Sequence, residues 1–180
     1  LFSFGIRSLY YSSLKNGFIE PRLNLEYPIS NTIRIKSSAE IRHQPISQLV
    51  EFDNTELRIE NNIWRLSDKT NYPILKSNQF STGFIFYKNG WTIDVDSYFK
   101  KITGLTSYSN GFSNPFSNLS NGSSNVLGLD VLVKKRVNNY RVWLGYTYNE
   151  IDFTFKEIQI NSFSGNNDIT HNLKILILIK

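Results

Sequence analysis

The sequence predicts an all-β fold: an antiparallel up-and-down meander of about eight long strands, an arc of a large transmembrane β-barrel. Three observations carry this reading. Apolar and polar residues alternate with a period of two in about eight segments, and helical i, i+3, i+4 spacing is sustained nowhere. Most segments run about ten residues, nearly double the ~5–6 of a globular strand and within the ~9–11 that a tilted strand needs to cross a bilayer. Tight turns join the strands at one end of the meander, and mostly long polar connections join them at the other.

The first strand is expected over Phe2 to Tyr11, with Phe2, Phe4, Ile6 and Tyr10 on its apolar side. Glu20 to Ile29 follows, presenting Leu23, Leu25, Tyr27 and Ile29, then Ile33 to His43, presenting Ile33, Ile35, Ala39 and Ile41. In that third strand Arg34, Lys36, Ser38, Glu40 and Arg42 define an opposite, charged side. A short loop from Ser30 to Thr32 joins the two and sets Ile29 against Ile33.

The next two strands, Asn78 to Lys88 and Trp91 to Lys101, flank Asn89-Gly90. This dipeptide favours the type I′ hairpin, whose two central residues need positive φ. That turn pairs Phe86 with Ile93, Phe84 with Val95 and Phe80 with Phe99, so apolar meets apolar on one side. Asp94, Asp96 and Lys100 fall on the other.

Asn138-Asn139 joins Asn125 to Val137 with Tyr140 to Asn149 in the same manner, setting Val133 across from Leu144 and Val131 across from Tyr146. The last strand, Ile169 to Lys180, carries Leu173, Ile175, Ile177 and Ile179. The connections at the opposite end are Ser12 to Ile19, Gln44 to Ser77, Ile102 to Ser124 and Glu150 to Asp168. Within the second of these, ELRIENNIWRL alternates weakly and suggests an extra hairpin, whereas SYSNGFSNPFSNLSNGSSN has the Ser, Asn and Gly bias of a solvated loop.

Composition narrows the function classes. The 180 residues are 40% apolar and 14% aromatic, too hydrophobic for a disordered chain. Twenty Lys and Arg against fifteen Asp and Glu leave a net charge of +5, but the basic residues are scattered singly along the strands. Nucleic acid is therefore not an expected partner. The absence of cysteine removes disulfides, thiolate metal sites and cysteine nucleophiles. No apolar run approaches the ~20 residues of a spanning helix. Leu1 opens inside one strand pattern and Lys180 stops inside another, so a piece of a longer polypeptide is expected.

Alternation alone does not say which side faces water. A soluble barrel of lipocalin type, binding a hydrophobic ligand, turns Trp91, Ile93 and Val95 inward. Strand length, the one-sided long loops and aromatic residues near strand ends favour the inverse, with the apolar side on lipid and Asp94 and Asp96 in a wet lumen. In hydrocarbon every backbone N–H and C=O must be paired, which strands achieve only in a closed barrel.

Four segments in order sharpen this expectation: the strand opening Glu20-Pro21-Arg22, the run SNQFSTGF followed by YFKKITGL, the run GLDVLVKK after a Gly- and Ser-rich loop, and WLGYTY. Their order resembles the barrel of TonB-dependent outer-membrane receptors over nearly the whole chain. The resemblance implies that residues 1–180 are part of a roughly 22-stranded barrel domain whose plug and remaining strands lie elsewhere. It implies residence in the bacterial outer membrane and uptake of scarce nutrients, such as a siderophore-bound metal, a vitamin or a glycan. The implied partners are outer-membrane lipid, the imported ligand, the plug domain and, through it, the TonB complex. Neither the plug nor its energy-coupling box is matched here, so this stretch by itself is not expected to transport.

No nucleophile motif or phosphate loop is present, so no catalytic residue, metal site or cofactor is expected. Asp94 and Asp96 stand roughly 7 Å apart on one strand face, whereas sugar cleavage needs carboxylates that flank the substrate. His43 and His171 are read as strand-end hydrogen-bonding residues, since a metal needs further ligands beside them. The aromatics Trp64, Tyr72, Tyr108, Phe112 and Phe116 are the candidate ligand-contacting residues, by stacking on a solute from outside, with loop-on-loop packing as the competing role.

Overall fold

The computed structural model describes residues 1–50, 63–68, 70–109, 118–155, 162–164 and 169–179. Among them, period-two alternation is realised as one antiparallel sheet. Its strands are β1 (Phe2–Tyr11), β2 (Asn16–Pro28), β3 (Ile33–Gln44), β6 (Leu75–Lys88), β7 (Trp91–Ser109), β8 (Asn118–Val137) and β9 (Tyr140–Thr154), neighbours in that order. The outer edge of β9 pairs with β11 (His171–Ile179) and, further along, with the short β10 (Phe163–Ser164). A separate pair, β4 (Ile46–Gln48) and β5 (Trp64–Leu66), lies between β3 and β6 in sequence. The chain is thus an all-β up-and-down meander, and among the described residues β1 and β11 do not pair with each other.

Register follows the turn chemistry. Asn89 and Gly90 take φ of 49° and 75°, the hairpin conformation, and Phe86, Phe84 and Phe80 stand opposite Ile93, Val95 and Phe99. Asn138 has φ 48°, and Val133 meets Leu144 while Val131 meets Tyr146. At the third turn Ile29 N–H donates to Ile33 O over 3.0 Å, and Ser30 Oγ accepts from the N–H groups of Thr32 and Ile33.

The other end departs from expectation. The Ile102 to Ser124 connection was expected as loop, yet β7 continues to Ser109 and β8 returns from Asn118, with Ser107 opposite Ser120. Pairing with β7 along the whole of this polar stretch, joined by β9 at Ser123 and Ser124, overrides its turn-like composition. Gly104 (φ 85°) provides the bulge at which the register shifts between Thr103 and Leu105; a Cβ there would come within 2.6 Å of Ile74 O. β9 likewise runs past Asn149 to Thr154. The β1–β2 connection is short, a 3-10 turn over Ser12–Leu14 closed by Lys15 at φ 47°. Of the expected extra hairpin, residues 56–62 lie outside the described residues, while Trp64–Leu66 pairs with Ile46–Gln48.

One side of the sheet is apolar and uncovered. Trp91 is 43% exposed, Leu144 38% and Ile177 59%, and Phe2, Phe4, Leu25, Phe80, Phe99 and Leu127 are exposed beside them. Buried apolar side chains among the described residues are confined to Leu14, Leu49, Leu105 and Phe155, all at the long-loop end. Phe155, fully buried, packs its ring where a Cβ on Gly122 would sit.

Candidate functional site

The side opposite the apolar one carries the charges, and register assembles them into rows across the strands. One row runs Glu26, Lys36, Gly83, Asp96, Asp130, Thr147 and Asn172, from β2 to β11. Gly83 is the gap in that row. With no side chain in the way, Lys36 reaches over β6, and its Nζ donates to Asp94 Oδ1 at 2.6 Å and Asp96 Oδ2 at 2.5 Å. A Cβ on Gly83 would come within 2.0 Å of Val95 O and 2.7 Å of Asp96 Oδ1, so only glycine leaves this passage open.

Neighbouring positions are paired in the same manner. Arg34 donates to Glu26 at 2.7 Å, Arg42 to Glu40 at 2.8 Å, and Thr147 Oγ1 to Asp130 Oδ1 at 2.7 Å. Ser38 and Ser81 hydroxyls meet at 2.7 Å. A polar hollow of about 240 Å³ lies among Asp94, Asp96, Asp130, Thr147, Asn172 and Lys174. Asp94 and Asp96 share one ammonium on the same strand face and do not flank a space between them. The arrangement offers a solute fixed charges of both signs in a partly exposed setting.

The polar character is not complete. Towards the tight turns this side also carries Ile85, Leu132, Trp143 and Leu176, and Lys134 Nζ sits 4.7 Å from the Trp143 ring centre.

At the long-loop end, one cluster was not legible beforehand. Glu20 is 1% exposed, and its Oε1 accepts the backbone N–H of His43. Arg7 Nε lies 3.8 Å from Oε2, and His43 Nδ1 lies 3.5 Å from Oε1. The β2–β3 ladder stops at Arg22 and Glu40, so this carboxylate satisfies an amide that the ladder leaves over. The His43 ring lies tilted against Phe18 with centroids 4.4 Å apart, and His171 Nδ1 meets Tyr146 Oη at 2.9 Å. Both histidines stand at strand ends, His171 hydrogen-bonded through its ring and His43 through its backbone. Among the described residues no three His, Asp or Glu gather as metal ligands. The sequence signal was Glu20-Pro21-Arg22: an acid beside a proline that has no N–H for a ladder.

The structure separates the candidate aromatics. Trp64 is exposed on β5. Tyr72 is half-buried in a turn built by Asp68, whose Oδ1 accepts the N–H groups of Thr70, Asn71 and Tyr72, each at 2.9 Å. These hydrogen bonds, that of Tyr72 foremost, hold the Asp68 carboxyl below its usual 3.8. Thr106 Oγ1 donates to Asn71 O at 3.5 Å, tying the turn to β7. Trp64 and Tyr72 make no ring contact with each other among the described residues. Tyr108, expected in a loop, lies on β7 opposite Leu119, while Phe112 and Phe116 lie outside the described residues.

No family model, no curated protein and no solved structure matches this chain.

Proposed function

We propose that this chain is part of the transmembrane β-barrel of a bacterial outer-membrane receptor of TonB-dependent type, which takes up a scarce nutrient. The observation that carries the reading is an uncovered apolar belt that is free of charge across β6, β7 and β8 and meets Glu150 on β9, opposite Leu127. On β7 the outward positions between Lys101 and the Trp91 row are Phe99, Ser97, Val95 and Ile93, and their cross-strand neighbours on β6 and β8 are Phe80, Thr82, Phe84, Phe86, Leu127, Leu129, Val131 and Val133. The ten residue steps between the bounding rows of Trp91 and Lys101, at about 3.3 Å each, make about 33 Å, which a strand tilt of about 40° reduces to about 25 Å. That is the height of the apolar band of an outer-membrane barrel.

At one margin of the belt Lys135 Nζ sits 4.5 Å from the Trp91 ring centre and donates to Asn89 O, an aromatic and a cation together at the tight-turn end. At the other, β7 and β8 extend beyond the belt and carry the long connections. The paired charges around Lys36 face the opposite way, into what would be a hydrated interior. The receptor type is supported by the order of the segments SNQFSTGF, GLDVLVKK and WLGYTY. In this role the loop aromatics Trp64 and Tyr72 stand at the outer mouth, where a nutrient arrives.

The test is insertion. In vesicles containing lipid brominated on its acyl chains, Trp91 fluorescence is expected to be quenched strongly, while aqueous iodide quenches it weakly. A chain that stays monomeric in water without detergent, with Trp91 shielded from both quenchers, would instead be the lipocalin-like barrel and would overturn the reading.

A further inference from the structure

The apolar side is not smooth. In the row Phe4, Leu23, Ala39, Phe80, Phe99 the smallest side chain stands at the middle position, and the next β3–β6 pair towards the turns is Ser37 with Thr82. The result is a groove of about 580 Å³ along β3, walled by Leu23, Ile41, Phe80 and Phe99. Its size falls within the ~300–1,000 Å³ usual for small-molecule sites.

Of the charged residues lining the groove, Arg22 and Glu40 face each other at 3.9 Å, which leaves the charge of Lys76 and Lys101 at one end. Lys76 and Lys101 line it where the belt stops on the long-loop side, on diagonal positions of β6 and β7, with Asn78 directly opposite Lys101. Both lysines are exposed, and neither forms an ion pair among the described residues. The acids outward of them, Glu150 and Asp152, are two strands away on β9.

We propose that this groove is a binding site for one phosphate-bearing lipid, its acyl chain along Ala39 and its phosphate between Lys76, Lys101 and Asn78. The inference rests on the bilayer orientation given above. The apolar floor selects a chain, and two lysines on diagonal positions about 7–8 Å apart, without an ion pair among the described residues, select a net-anionic phosphate headgroup over a zwitterionic one.

The experiment uses the chain folded in zwitterionic micelles, titrated with phosphatidylglycerol or with phosphatidylcholine of the same acyl length, and counts bound lipid by native mass spectrometry. Phosphatidylglycerol is expected to bind more tightly. Lys76→Gln with Lys101→Gln should lower its affinity about 25-fold, roughly fivefold per lysine, and leave phosphatidylcholine unchanged. Ala39→Leu should weaken both lipids, and inorganic phosphate should displace neither. Unchanged phosphatidylglycerol binding by the double variant, or displacement by inorganic phosphate, overturns the site. If Trp91 is still quenched by brominated lipid in that case, the groove alone is rejected; if Trp91 is not quenched, the bilayer orientation fails and the groove with it.

Discussion

The phenol ring of Tyr98 on β7 lies over Gly128 on β8, so close that a Cβ on Gly128 would come within 2.0 Å of the ring carbon Cζ. Its hydroxyl reaches Asn149 Oδ1 on β9 at 3.4 Å. One aromatic thereby spans two ladders on the polar side, covering backbone that a glycine leaves bare. Gly128→Val is expected to lift the ring and cost about 1–3 kcal/mol, as overpacking does. Urea unfolding in micelles measures it, and Tyr98→Leu in the Gly128→Val background should recover part of the loss.

Lys36 on β3 and Asp94 and Asp96 on β7 form a triad bridged over Gly83 of β6, the strand between them. All three side chains are partly exposed, so solvent screens their attraction. Lys36→Met is expected to cost about 1 kcal/mol, because two adjacent carboxylates lose their shared cation. A double-mutant cycle with Asp96→Asn should return a coupling of about 0.5–1 kcal/mol. No coupling would mean that the ammonium is held elsewhere in solution.

The two sides of β7 should respond oppositely to charge. Val95→Lys places an ammonium in the middle of the belt, expected to cost about 2–4 kcal/mol of folding free energy in vesicles. Asp94→Asn, one residue away on the other side, should change stability by less than about 1 kcal/mol. Equal effects of the two would contradict the assigned orientation.

The turn over Asp68 to Tyr72 should be acid-sensitive. Its folded carboxyl titrates below the ordinary value of 3.8, because the ionised form accepts three backbone N–H groups. The stabilisation is therefore complete above 3.8 and is lost as pH falls through the lowered folded value. Amide exchange of Thr70, Asn71 and Tyr72 should accelerate in that acid window after correction for intrinsic rates. Asp68→Asn, which keeps an acceptor without a titration, should remove the pH dependence, whereas Asp68→Ala should leave the turn open at all pH values.

Much of the meander was legible because it is locally encoded. A period-two pattern assigns each side chain to a side, and Asn89-Gly90 or Asn138-Asn139 then sets the register of a whole hairpin from two residues. Strand ends on the long-loop side were read short. Asn118 to Ser124 has the composition of a loop, and only its pairing with β7, joined by β9 at Ser123 and Ser124, makes it a strand. Sequence places Trp64, Tyr72 and Tyr108 together in loops, yet the first sits on a short strand, the second in an Asp-centred turn and the third on β7.

By itself the sequence determined the fold class, the division of each strand into an apolar and a charged side, and the three tight turns, since all depend on residues near one another in the chain. The tertiary structure alone decided that Lys36 crosses a glycine to two aspartates, that Glu20 takes the amide of His43, and that a groove opens at Ala39 beneath Lys76 and Lys101. Each of these depends on which residues stand side by side across several strands, and that is set by the summed registers of the sheet rather than by any one segment.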